Sequence, residues 1–221
     1  MKSQLELKSR EGKDIVITTS WDDVTPLDVR LSQLLIEYGI PAIFYIPSNK
    51  LHDVELLALA RELSKHSRFD IGSHTVSHAM LTRISKDRVW CELADSKRII
   101  EEALGIPIKH FCYPRGYYDE DVAQLVQDAG YLTARTVKVL STDIVQDPFA
   151  LKTTIHAYNR KEYGGRTWSE VGVELFDYVM QNGGYFHLWG HSAEVDKHGD
   201  WAELEWMLSY MNEGVKKLHH D

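Results

Sequence analysis

The chain has 221 residues, 43% apolar and 26% charged, an ordinary globular mix that argues against disorder and is long enough to bury a sizeable core. No run approaches 18 apolar residues, which excludes a membrane-spanning helix on sequence grounds. The 25 basic and 33 acidic residues give a net charge of −8 with no basic block, so neither nucleic acid nor an anionic membrane is expected as a partner. Residues 1–14 (MKSQLELKSREGKD) lack the apolar stretch of a signal peptide, which predicts a cytoplasmic address. Cys91 and Cys112 form no CxxC pair and are expected as free thiols.

In chain order, short β-rich runs alternate with helical patterns. Ile15–Thr19 predicts a first strand, and Leu27–Tyr38 a helix that stops at Gly39. Strands follow at Ala42–Ile46 and Phe69–Ile71, with a helix over Val54–Ser64 between them and another over Ser85–Leu104 beyond. His110–Tyr113 and Leu132–Thr136 read as strands around a helix at Asp119–Asp128. Val137–Arg166, with Pro148, Gly164 and Gly165, reads as a substrate loop or an irregular connection, and contains a weaker strand at Leu151–His156. Thr167–Gln181 predicts a helix, Tyr185–Trp189 the last strand and Trp201–Leu218 the last helix. This alternation implies one α/β catalytic domain over residues 1–221, with a parallel sheet and helices outside it. A doubly wound sheet and a barrel both satisfy the pattern, and both place chemistry at the C-terminal ends of the strands.

Four segments meet that strand-end test. Asp22 and Asp23 directly follow the first strand. Adjacent like charges are costly unless a cation or a shared proton relieves them, although one could simply cap the next helix. His74 and His78 lie four residues apart beyond the third strand. They face one point if a helical turn begins there, and imidazole suits a borderline cation such as zinc. With Asp23 they make a two-His, one-carboxylate set that leaves positions open for water and substrate. His191 follows the last strand, where it can act as an acid or base, with His187 deeper. The fourth segment, Phe111 to Tyr118 (FCYPRGYY), holds Pro114, Arg115 and Gly116, and can aim a backbone N–H at a substrate oxygen. Among the nearby aromatics, Trp21, Tyr117, Tyr118, Trp168 and Trp189, packing and sugar stacking compete. Trp21, Tyr117 and Trp189 are the substrate-binding candidates.

The ordered set of Asp-Asp, His-Thr-x-x-His, a Pro-Arg-Gly loop and Leu-Trp-Gly-His, spanning about Ile15 to Ser192, resembles the polysaccharide deacetylase (NodB-homology, carbohydrate esterase family four) family. The resemblance implies a distorted (β/α)7 barrel of the NodB-homology type. It implies Asp22 as catalytic base, Asp23, His74 and His78 as ligands of one divalent ion, expected to be Zn2+, and His191 as catalytic acid. The Arg115 backbone N–H is the implied oxyanion donor. The substrate implied is an N-acetylated carbohydrate or a small amide, losing acetate. Hydrolysis of another C–N bond, of the cyclic amide or ureide type, and an inactive sugar-binding barrel are the alternatives. The family's fourth-strand loop often carries an Arg that holds the base. Here Cys112 occupies that place, which leaves Arg115 or Arg135 for the role. No segment matches the family's acid that tunes the catalytic His.

Overall fold

Seven parallel strands and seven α-helices alternate along residues 2–220, the residues that the computed structural model describes. The first half runs β1 (Leu5–Lys8), β2 (Asp14–Asp22), α1 (Asp28–Glu37), β3 (Ala42–Ile46), α2 (Val54–Lys65), β4 (Phe69–Ser73) and α3 (Lys86–Leu104). The second runs β5 (His110–Cys112), α4 (Glu120–Asp128), β6 (Thr133–Arg135), β7 (Ile155–His156), α5 (Trp168–Asn182), β8 (Gly184–Gly190), α6 (Ser192–His198) and α7 (Trp201–His220).

The parallel order is β6-β5-β4-β3-β2-β8-β7, and β1 adds antiparallel to β2. At nine residues β2 is long enough to pair with β8 along most of its length and with both β1 and β3 on its other edge. The sheet curls until Leu151, just before β7, forms a parallel bridge to Arg135 at the end of β6. The result is the distorted (β/α)7 barrel of the NodB-homology type, closed at the β6–β7 seam by irregular hydrogen bonds rather than a ladder.

Strand alternation sorts the side chains. Ile15, Ile17, Trp21, Phe44, Ile46, Phe69, Ile71, Phe111, Ala134, Phe186 and Leu188 are all buried in one apolar cluster with the helices. The intervening residues Thr18, Ser20, Asp22, Tyr45, Cys112, Arg135, His187 and Trp189 are equally buried and converge inside the barrel. The helices start where side chains satisfy free backbone donors: Asp53 caps α2, Asp119 caps α4, and Thr167 with Glu170 forms a capping box on α5.

The expected seventh strand over Leu151–His156 is present as the Leu151 bridge and a two-residue ladder. Residues 138–154, part of the irregular stretch, are stitched to the barrel. Leu140 N donates to Thr154 O, Thr153 N to Lys138 O, and Tyr185 N to Thr142 O. The short elements β1 and α6 are additions to the expected set. Among the described residues no helix is long and apolar enough to cross a membrane.

Candidate active site

Asp22 and Asp23 leave β2 in the same direction, which an extended strand forbids for neighbours. The reason is local. Asp23 has φ 68°, in the left-handed region, and its N–H donates to Tyr45 O at 3.1 Å. That turn brings both carboxylates to one place: His191 Nε2 lies 4.0 Å from Asp22 Oδ2 and 3.9 Å from Asp23 Oδ2. Asp22 is buried, and Arg135 Nη2 donates to both of its oxygens. Arg135 is itself buried between the rings of Tyr45 and Trp189, 5.3 and 4.6 Å from their centroids. Burial pushes the Asp22 carboxyl up, but Arg135, with His74 and His191, outweighs it and holds the group well below the usual carboxylate range. The Cys112 thiol, pushed up by burial, sits 3.7 Å from Asp22 Oδ2 and accepts from Arg135 Nη2 at 2.9 Å.

His74 and His78 are brought together by a different backbone from the one expected. In place of a helical turn, Thr75 and His78 adopt left-handed conformations at φ 65° and 59°. Such conformations cost non-glycine residues energy and persist where surrounding contacts over-determine them. Buried Glu92 on α3 does so here. Its Oε2 accepts from Val76 N and Ser77 N, both at 2.9 Å, and its Oε1 from Ser77 Oγ at 2.7 Å. His74 Nε2 and His78 Nε2 each lie 3.9 Å from Asp23 Oδ1. The His74 Nδ1–H donates to Cys112 O at 2.8 Å, leaving Nε2 free to bind a cation. Burial pulls the His74 pKa down against the pull of Asp22 and Asp23, which favours the neutral ring that a ligand needs. The donor set, spacing and fixed ring fit a divalent ion.

His191 lies just past β8 with its side chain 24% exposed. Its Nδ1–H donates to Glu194 Oε2 at 2.7 Å, and the same oxygen accepts from His156 Nε2 at 3.1 Å. Burial pulls the His191 pKa down, but Glu194, Asp22 and Asp23 outweigh it and raise it above the ordinary value. Glu194, in the first turn of α6, is the acid that tunes this histidine, and sequence reasoning missed it. Asp22 and His191 thus each rest on a charged partner: buried Arg135 under Asp22, and half-buried Glu194 under His191.

The remaining candidates fall elsewhere. Arg135, not Arg115, holds the Asp22 carboxylate. The Arg115 side chain is exposed on the left-handed turn after β5, at φ 58°. Two substrate-binding expectations are corrected. Trp21 is 1% exposed because it faces the helices, in the apolar cluster. Trp189 is 3% exposed because Arg135 covers its ring, and the ring lies flat on His156 at 3.8 Å and 8°. Neither offers a face to a sugar. Trp168 is also buried, whereas Tyr117 is 52% exposed beyond β5. His187 lies inside the barrel in a relay: its Nδ1 shares a hydrogen bond with Tyr185 Oη and its Nε2 one with Ser20 Oγ, each at 2.7 Å. Burial holds it neutral and away from the mouth.

Comparison with known proteins agrees with this fold. YxkH of Bacillus subtilis (strain 168), named as a polysaccharide deacetylase, is 26% identical over 136 residues. Those residues are 61% of this chain and 46% of that protein, so the chain spans about half the length of this relative. A protein of Mycobacterium smegmatis, named as a polysaccharide deacetylase, has a similar fold. Its TM-score is 0.68 at 16% identity, covering 89% of this chain and 83% of that one. The Streptococcus pyogenes deacetylase PplD, solved with acetate, superposes at TM-score 0.55 and 20% identity over 61% of this chain and 62% of that one. The family model for polysaccharide deacetylase matches residues 9–134, more than half of the sequence, and the chain belongs to the polysaccharide deacetylase family.

Proposed function

We propose that the chain is a divalent-metal-dependent hydrolase that removes an N-acetyl group from an amino sugar or a sugar-containing substrate, releasing acetate. One observation carries the reading: an ionised carboxylate on Arg135 and an imidazole on Glu194 stand beside the Asp23, His74 and His78 cluster. Their surroundings push the Asp22 carboxyl down and the His191 ring up, which supports reading the first as base and the second as acid.

Asp23, His74 and His78 would hold a divalent ion, with zinc the best match to the donors, and that ion would supply Lewis-acid polarisation of the amide carbonyl when bound. Asp22, kept ionised and fixed by Arg135, takes a proton from the attacking water. The Arg115 backbone N–H is the proposed donor to the oxygen that becomes negative. His191 gives a proton from Nε2 to the leaving nitrogen, which departs poorly as an amide anion. Glu194 keeps the opposite ring nitrogen oriented and stabilises the imidazolium. One water is consumed, and acetate and a free amine result. Tyr117 is the exposed aromatic available to stack on a sugar ring.

The test pairs two variants with an acetate-release assay on N-acetylated oligosaccharides. Asp22→Asn is expected to retain about one ion per chain and lose about 10²–10⁴-fold in kcat. His74→Ala is expected to lose the tightly held ion and turnover. Near-full activity in Asp22→Asn would remove the base assignment, and a tightly held ion that persists in His74→Ala would remove the metal assignment.

A further inference from the structure

Behind the catalytic mouth lies a second set of ligating atoms that the proposed reaction leaves without an ion. His156 Nε2, His191 Nδ1 and Glu194 Oε2 all lie within 4.8 Å of one another. They sit on the far side of the His191 ring. That ring turns Nε2 toward Asp22 and Asp23 and Nδ1 toward Glu194, so it stands between the two clusters, which share no residue. The His156 ring is pinned flat against Trp189, while the His191 and Glu194 side chains, 24% and 36% exposed, leave an approach for an ion.

The separations suit a small cation. Tetrahedral zinc with bonds of 2.0–2.1 Å holds its ligands about 3.3 Å apart. The present contacts to Glu194 Oε2 are 3.1 Å from His156 and 2.7 Å from His191, so these two must spread by a few tenths of an ångström, while the two histidine nitrogens, within 4.8 Å of each other, settle onto the ion. Two imidazoles and one carboxylate are a zinc donor set.

We infer that His156, His191 and Glu194 form a second, weaker divalent-metal site, which zinc fills in excess and which then shuts down turnover. The weakness follows from the outer contacts. His74 donates its spare N–H to the Cys112 carbonyl, but His156 Nδ1 is buried with no hydrogen-bond partner. A His156 that ligates through Nε2 must carry its proton on that orphaned nitrogen. Outer-shell partners of this kind are worth about 10–100-fold in affinity, so the second site fills after the first.

The inhibition rests on the proposed role of His191; the binding does not. An ion on Nδ1 replaces the proton that Glu194 now holds. Nε2 is then left with the only proton of the imidazole, a far weaker acid than imidazolium, and protonation of the leaving nitrogen fails. The effect falls on kcat and leaves KM unchanged.

Calorimetric titration of the metal-free full chain with zinc tests the site. The wild type is expected to show two classes of one ion each, the second at least about 10-fold weaker. His156→Phe keeps an aromatic ring against Trp189 and offers no ligand atom. It is expected to keep the tight class and lose the weak one. His74→Ala is expected to do the reverse. If His156→Phe melts early, Glu194→Gln gives the same reading. Saturation of the wild type at one ion, or two ions in His156→Phe and Glu194→Gln, overturns the second site. A tight class that survives in His74→Ala instead overturns the proposed catalytic cluster. Turnover of the wild type is expected to fall beyond one equivalent of zinc while that of His156→Phe holds. Equal loss in both overturns the inhibition.

Discussion

The two faces of β8 are buried to the same degree and do opposite work. Phe186 and Leu188 point outward and are fully buried among apolar side chains of the helix layer. His187 and Trp189 point inward, also buried, into a lumen of hydrogen bonds and one ion pair. Each large outward side chain contributes about 1.5–3 kcal/mol by leaving water. An inward hydrogen bond contributes a net of only about 0.5–1.5 kcal/mol, and a buried ion pair contributes little beyond its own desolvation cost. Burial alone therefore does not mark the stabilising core: the outer face holds the barrel, and the inner face holds the chemistry.

Three substitutions sharpen this contrast. Arg135→Met leaves the Asp22 carboxylate buried without its partner and is expected to cost about 3–5 kcal/mol at neutral pH. In the wild type the depressed Asp22 pKa stabilises the fold above the unfolded value, and that contribution is lost as pH falls. In the variant, burial pushes the carboxyl up. The stability deficit then narrows as acid protonates it, and the acid limb of kcat/KM moves to higher pH. Denaturation at pH 7 and pH 4 measures this, and equal deficits at both would show that the pair is not the cause. Leu188→Ala, one residue from the lumen, is expected to cost about 2–5 kcal/mol at either pH, with zinc affinity and turnover per folded molecule unchanged. A loss of zinc affinity would mean that the two faces are not independent. Tyr185→Phe removes one hydroxyl from the His187 relay and is expected to cost about 0.5–1.5 kcal/mol, with kcat unaffected. A cost above that range would place more of the fold's stability in the lumen than this contrast allows.

Much of this was legible in the residues. The helix and strand alternation pointed to a parallel α/β sheet, the family resemblance to the barrel, and the strand-end rule to Asp22, Asp23, His74, His78 and His191. Glu194 escaped because α6 is seven residues long and mostly polar, too short for apolar periodicity to show. A signal was nonetheless present: a glutamate three residues after a histidine at a helix start lies on the same face. The parity of β2 already opposed Trp21 as a sugar platform, since its neighbour Asp22 faces the lumen. Trp189 has the right parity, but no local pattern reveals that Arg135 and His156 cover its ring. Nor does sequence announce left-handed backbone at Asp23, Thr75 and His78, because none of them is glycine. Their conformations are imposed by tertiary partners such as Glu92.

The irregular seam between β6 and β7 gives the barrel an uneven opening profile. Thr136 N to Leu151 O at 2.8 Å and Leu151 N to Ala134 O at 2.9 Å do there what a seven-pair register does between β2 and β8. Local opening is cheapest where regular paired backbone is scarce, so amide exchange near Ala134, Thr136 and Leu151 outpaces that of β2. Arg135, which holds Asp22, and His156, which shares the Glu194 carboxylate with His191, stand on opposite lips of that seam. A fluctuation that parts the lips is expected to disturb both contacts at once, so opening of the seam and the pairing of Asp22 and Glu194 are expected to respond together.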